Sequence, residues 1–135
     1  MITKEIAFTD YNGQERKEKY QFNFTKAELT EMELSVNGGL SAMMDRIKET
    51  DDRPELMRIF KDLILKAYGV KSPDGKRFIK SEELRTEFSQ TEAYSELYME
   101  LVTDTNAAIT FFNGLIPNNL KDNGGKVIEM PASAE

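Results

Sequence analysis

The 135-residue chain contains no cysteine and no histidine. Without thiols there is neither a disulfide framework nor a thiolate nucleophile, and without imidazole there is no near-neutral general base. Structural and catalytic zinc sites draw chiefly on those two residues, so most zinc chemistry is excluded, and Ser-His and Cys-His triads fall with it. Long apolar runs are missing as well. No stretch approaches the roughly 20 residues needed to cross a bilayer, and the opening Met-Ile-Thr-Lys-Glu-Ile lacks the apolar core of a signal peptide, so a cytoplasmic protein without membrane contact is expected. Basic residues are in deficit: 18 Lys and Arg against 24 Asp and Glu leave a net charge of −6. Nucleic-acid binding rests on clustered positive charge, which argues against a nucleic-acid partner.

What is present fits one soluble domain. Hydrophobic residues make up 39% and charged residues 31%, enough apolar material for a modest single core. Ile2, Ile6 and Phe8 alternate with polar residues, as do Tyr20, Phe22 and Phe24, and between the two runs stands Asp10-Tyr11-Asn12-Gly13. Period-two alternation around an Asn-Gly turn predicts a β-hairpin over residues 1–24, with Thr3, Glu5 and Thr9 beside Lys19, Gln21 and Asn23 on its wet face. An isolated hairpin is marginal, so its apolar face must be covered by helices or by another subunit.

Helix signals then follow one another. Thr25-Lys26-Ala27-Glu28 has the form of a capping box, and Leu40, Met43, Met44 and Ile47 recur at helical spacing after Gly38-Gly39. Asp52 and Pro54 start the clearest helix, whose stripe is Leu56, Ile59, Phe60, Leu63, Ile64, Ala67 and Tyr68, with Gly69 placed to close it in a left-handed conformation. Ser72-Pro73-Asp74-Gly75 reads as a turn from which Phe78 and Ile79 return to the core. Ser81, Thr91, and Thr103 or Asp104 can cap three more helices. Past Pro117 periodicity ceases, and residues 118–135 are expected to be a flexible tail. The fold expected is α+β and mostly helical: a hairpin and five or six helices in one domain over 1–117.

Candidate chemistry is thin. Glu92, Glu96 and Glu100 are spaced by four and line one helix face, and between Glu82 and Asp104 seven acids meet one base. Such a row could receive a basic partner, or it could be a solvated face opposite Leu97 and Leu101. Glu49, Asp51 and Asp52 lack the twelve-residue calcium-loop pattern, and Gly38-Gly39 and Gly124-Gly125 lack the lysine and hydroxyl of a phosphate loop. Lys76-Arg77-Phe78 interleaves base and aromatic only once. The last helix is different. Ala107, Ala108, Ile109, Phe111, Phe112, Leu115 and Ile116 make it apolar nearly all round, so it must be enclosed by the core or by another chain. Seven methionines, among them Met32, Met43, Met44 and Met57, could fill a core or form an adaptable surface.

Several motifs resemble the tail assembly chaperones of long-tailed bacteriophages, particularly those infecting Gram-positive bacteria. They are Tyr68-Gly69-Val70-Lys71, Gly75 through Phe78-Ile79, Phe88-Ser89-Gln90-Thr91-Glu92-Ala93-Tyr94 and Asn113-Gly114-Leu115-Ile116-Pro117. The resemblance covers the C-terminal half closely and the N-terminal half only in the order and character of its elements. It implies a non-enzymatic protein of the host bacterial cytoplasm, without cofactors, that binds and coats the tape measure protein and helps recruit tail tube subunits. It also implies self-association and a longer form made by ribosomal frameshifting, for which Gly125-Lys126 is a dipeptide that a slippery codon pair would encode. Partner contact is expected at Phe111, Phe112, Leu115 and Ile116, with Tyr94 and Tyr98 behind them and Glu92, Glu96 and Glu100 as an electrostatic contribution. On this reading Phe112→Asp should weaken a complex without unfolding the domain. The competing readings are a structural virion component and a carboxylate- or metal-dependent hydrolase.

Overall fold

A computed structural model of the chain describes residues 1–116. Strands β1 (Ile2–Thr9) and β2 (Glu15–Phe22) form the expected hairpin, and helices α1 (Lys26–Ser35), α2 (Gly39–Glu49) and α3 (Arg53–Ala67) follow. Two short strands, β3 (Tyr68–Lys71) and β4 (Phe78–Ile79), precede α4 (Glu82–Ser89), α5 (Glu92–Thr103) and α6 (Thr105–Leu115). The fold is α+β, with one antiparallel sheet in the order β1-β2-β3-β4. The hairpin register places Thr3 opposite Gln21 and Glu5 opposite Lys19, so the wet face is the one alternation indicates. At its tip only Gly13 takes positive φ; Asn12 does not. The Asp10 carboxylate accepts the amides of Asn12 and Gln14 and holds the three-residue loop.

Five helices begin on a side-chain cap read directly from sequence. Thr25 and Glu28 make the reciprocal capping box, and Asp52, Ser81, Thr91 and Asp104 each accept an amide of the first turn. Helix α2 begins instead on Gly38 in a left-handed conformation with no side-chain cap of its own. Its exposed amides are met from a distance: Glu33, a buried carboxylate on α1, accepts from the Leu40 amide at 2.8 Å. Lys80 ties the far end of the sheet to α1, donating to the Asn23 carbonyl and the Glu28 carboxylate at 2.8 Å each while lying over the Phe24 ring.

The segment between α3 and α4 departs from expectation. Gly69 does not close α3 in a left-handed conformation. The helix stops at Ala67, Tyr68 leaves it extended, and Gly69 enters β3 opposite Gln21. Ser72-Pro73-Asp74-Gly75 is therefore the tip of a second hairpin and not a plain helix connector. Buried Ser72 donates to Asp74 at 2.7 Å and accepts the Arg77 amide, which squares the loop. The reason is register: the hydroxyl and carboxylate that satisfy a turn also bring Val70 opposite Ile79. Gly69 owes its identity to crowding. A Cβ there would stand 2.5 Å from the Phe78 ring and 2.8 Å from the Ile79 carbonyl oxygen.

Gly69→Ala should therefore destabilise the domain by about 2 kcal/mol through overpacking at the β3-β4 pair. Chemical denaturation followed by circular dichroism measures it, and an unchanged midpoint would show that the pair has room to give.

Candidate functional site

The helices cover one face of the sheet and draw the aromatic residues together. Phe88 of α4 is at the centre. Its ring stacks on Tyr68 at 4.3 Å between centroids and meets Tyr20, Phe22 and Tyr94 at 5.1, 5.9 and 5.7 Å. Tyr94 passes the cluster outward to Tyr98 at 5.7 Å. Burial raises the Tyr94 phenol, and burial followed by the Glu18 hydrogen bond pushes Tyr20 up to about 12, so both are neutral at physiological pH. Tyr94 and Tyr98 are half-buried and lie on the flank of α5 that meets Phe88 of α4.

The opposite flank of α5 carries the glutamates and runs along β1. Glu92 accepts from the Tyr11 hydroxyl at 2.9 Å, a bond that raises the Tyr11 phenol, and Glu100 pairs with Lys4 at 3.3 Å. Glu96, between them, is exposed and borders a cleft with Phe8 and Arg16. The row is thus brought together as the four-residue spacing indicates, with two of its members bonded to the hairpin. Exposed ion pairs of this kind contribute little to stability, roughly 0 to 1 kcal/mol, and leave the carboxylates available to a competing cation.

Phe111, Phe112 and Leu115 of α6, and Ile116 that follows it, are placed in the core. Phe112 and Ile116 are fully buried and Phe111 and Leu115 nearly so, with Phe111 edge-on to Phe22 at 5.5 Å. Their apolar excess closes the space between α2, α5 and β1, and the enclosing surface belongs to the same chain. One edge remains in reach. Phe111 lines a cleft of about 420 Å³ with Ile2, Ala107 and Gly114, bordered by Lys4 and Glu100.

Two surface features escaped sequence reasoning. Leu34 and Met99 are 66% and 50% exposed, apolar side chains left in water on α1 and α5. A groove between α1, α2 and α3 is lined by Met32, Val36, Met43 and Ile59 with Arg58 and Lys66 at its margin. The methionines are visible as a count, but their grouping depends on how three helices pack. Among the described residues no group of three or more acids is gathered as a metal ion would require, and no helix is long and apolar enough to cross a membrane.

Comparison with known proteins shows the family. The family model described as "Phage tail assembly chaperone" matches residues 1–131. The chain belongs to the phage tail assembly chaperones. No curated protein and no solved structure matches it. The match takes in the hairpin and the first helices of this tail assembly chaperone as well as its C-terminal half. Gly125-Lys126 and the rest of the expected tail lie outside the described residues.

The burial of Phe112 changes what its substitution should do. Phe112→Asp would set a carboxylate in a dry core, at a cost of about 4 kcal/mol or more, and should unfold the chaperone instead of only weakening a complex. Glu96→Lys should leave thermal unfolding within about 1 °C of the parent, because the side chain is exposed. Circular dichroism melts of the two variants check this, and a cooperative, near-parental melt for Phe112→Asp would contradict the enclosed position of α6.

Proposed function

We propose that this tail assembly chaperone binds the tape measure protein in the host bacterial cytoplasm, coats it along its length, and helps recruit tail tube subunits without catalysing any reaction. The observation that carries the reading is the family match over residues 1–131. The surfaces agree with a holding role. A long apolar client needs many shallow contacts, and exposed Leu34 and Met99 together with the groove of Met32 and Met43 supply adaptable apolar area. The net charge of −6 keeps a coated client soluble through mutual repulsion.

On this reading the contact residues divide by depth. Tyr98, Glu92, Glu96, Glu100 and the reachable edge of Phe111 meet the client. Phe112, Leu115, Ile116 and Tyr94 hold that surface from beneath. Recruitment of the tail tube protein belongs to a longer frameshifted form, and coating an extended client calls for self-association. A structural virion component would share the fold but would be retained in finished particles.

Co-expression of the chain with the tape measure protein should give a soluble complex that co-purifies, and mass spectrometry of mature particles should find the tape measure protein without the chaperone. A tape measure protein that is equally soluble and unbound in its presence would overturn the reading, and stoichiometric retention in particles would favour the structural one.

A further inference from the structure

The last helix ends beside an open strand. Asp10 donates its amide to the Gln14 carbonyl, which sets the phase of the hairpin ladder: even-numbered residues of β1 exchange bonds with β2. The backbone groups of Thr3, Glu5 and Ala7 therefore point outward, and among the described residues nothing bonds to them. On the helix side of the same strand lies the cleft of Ile2, Ala107, Phe111 and Gly114. Gly114, in the last turn of α6, lies so close to Ile2 that a Cβ there would stand 2.7 Å from its Cδ1. The chain thus leaves α6 next to the start of β1. Beyond Pro117 it holds one run with strand alternation, Lys126-Val127-Ile128-Glu129-Met130, set off by Gly124-Gly125 before it and Pro131 after it. The family match continues through that run, to residue 131.

We propose that Lys126–Met130 adds to the β1 edge of its own chain as a further antiparallel strand, with Ile128 and Met130 over the cleft. The reach is ample: residues 117–125 span up to about 30 Å, and Ile2 and Ile6 are only about 14 Å apart along β1. Directly opposed residues of an antiparallel pair share a face, so apolar Ile128 and Met130 belong with Ile2 and Lys4, and Glu129 with Thr3 on the wet face. The register follows from charge and proline. With Val127 opposite Glu5 and Glu129 opposite Thr3, Met130 meets Ile2, and Pro131 ends the ladder. A slip of two residues one way sets Glu129 against Glu5 and puts Pro131, which has no amide, at a bonding position opposite Thr3. A slip the other way sets Lys126 against Lys4. In the favoured register Lys126 lies opposite Ile6. Glu100 pairs with Lys4 and Glu96 borders Ala7 and Phe8, so Lys126 comes between these two carboxylates of the glutamate row. A parallel strand would instead carry Lys126 to the apolar end of the cleft at Gly114.

Docked in this way, the segment covers an open strand edge, as proteins commonly do, and closes the reachable side of Phe111. On the proposed function that side of Phe111 and the glutamate row meet the client, so segment and client compete for one surface. The competition rests on that reading. The docking does not, and it is measured on the chaperone alone.

Backbone hydrogen exchange read by NMR on the full chain should show the Thr3 and Glu5 amides exchanging about tenfold more slowly than in Ile128→Asp, at any protein concentration. Lys126→Glu and Glu96→Lys should each cut that protection about threefold, and the double variant Lys126→Glu/Glu96→Lys should recover most of it. Equal exchange in the full chain and Ile128→Asp, protection that grows with concentration because the segment docks on another copy, or a double variant no better than the singles would each overturn the docking. Ile128→Asp should also bind the tape measure protein up to about tenfold more tightly, since the segment no longer occupies the surface. Equal binding by parent and variant would overturn the competition, whereas binding by neither would overturn the proposed function and leave the exchange result standing.

Discussion

Phe88 is the residue on which the fold turns. Its ring touches both strands that anchor the centre of the sheet, through Tyr20, Phe22 and Tyr68, and it touches α5 through Tyr94. A β-hairpin and a cluster of short helices have no stability of their own; each is marginal until an apolar face is covered. Phe88 supplies the shared surface. From it the core extends through Phe22 to Phe111 and the rest of α6, so the sheet, the α4-α5 pair and the final helix stand or fall together.

That arrangement places the apolar last helix in the core. An isolated reading of Phe111, Phe112, Leu115 and Ile116 leaves two enclosures open, another chain or this one. The packing surrounds α6 with elements of the same chain and places its apolar excess in the single core. What is left outside is of another kind: a glutamate ridge beside β1, scattered leucine and methionine, and a shallow methionine groove. On the proposed function, many weak, adaptable contacts would suit holding a long client and later releasing it, where one deep hydrophobic slot would hold too well.

Much of this was legible in the sequence because the signals were local. The hairpin alternation, the capping residues Thr25, Asp52, Ser81, Thr91 and Asp104, and the helical stripes all act within a few residues of themselves. What escaped depended on distance. The strands β3 and β4 are short, and Tyr68-Gly69-Val70-Lys71 looks like the end of a helix until β2 is there to pair with it. Glu33 as the cap of α2 is seven residues away from the amide it serves, and the only local hint was that Gly38 offers no side chain to do the work. That α6 must be enclosed was legible in its composition, but which surface encloses it, like the gathering of Met32 with Met43, is a property of packing between helices, which no window along the chain contains. The glutamate row was visible as spacing, while its bonds to Tyr11 and Lys4 required the hairpin to lie along α5.

The central claim is that α6 belongs to the core and that client contact is made around it. Amide hydrogen exchange of the chaperone, free and in complex with the tape measure protein, tests this most directly. The account predicts slow exchange along Ala108–Leu115 in both states, with new protection confined to the flank of α5, β1 and the rim of the methionine groove. Faster exchange along α6 on binding, as the helix opens to present Phe112 and Leu115 to the client, would contradict it.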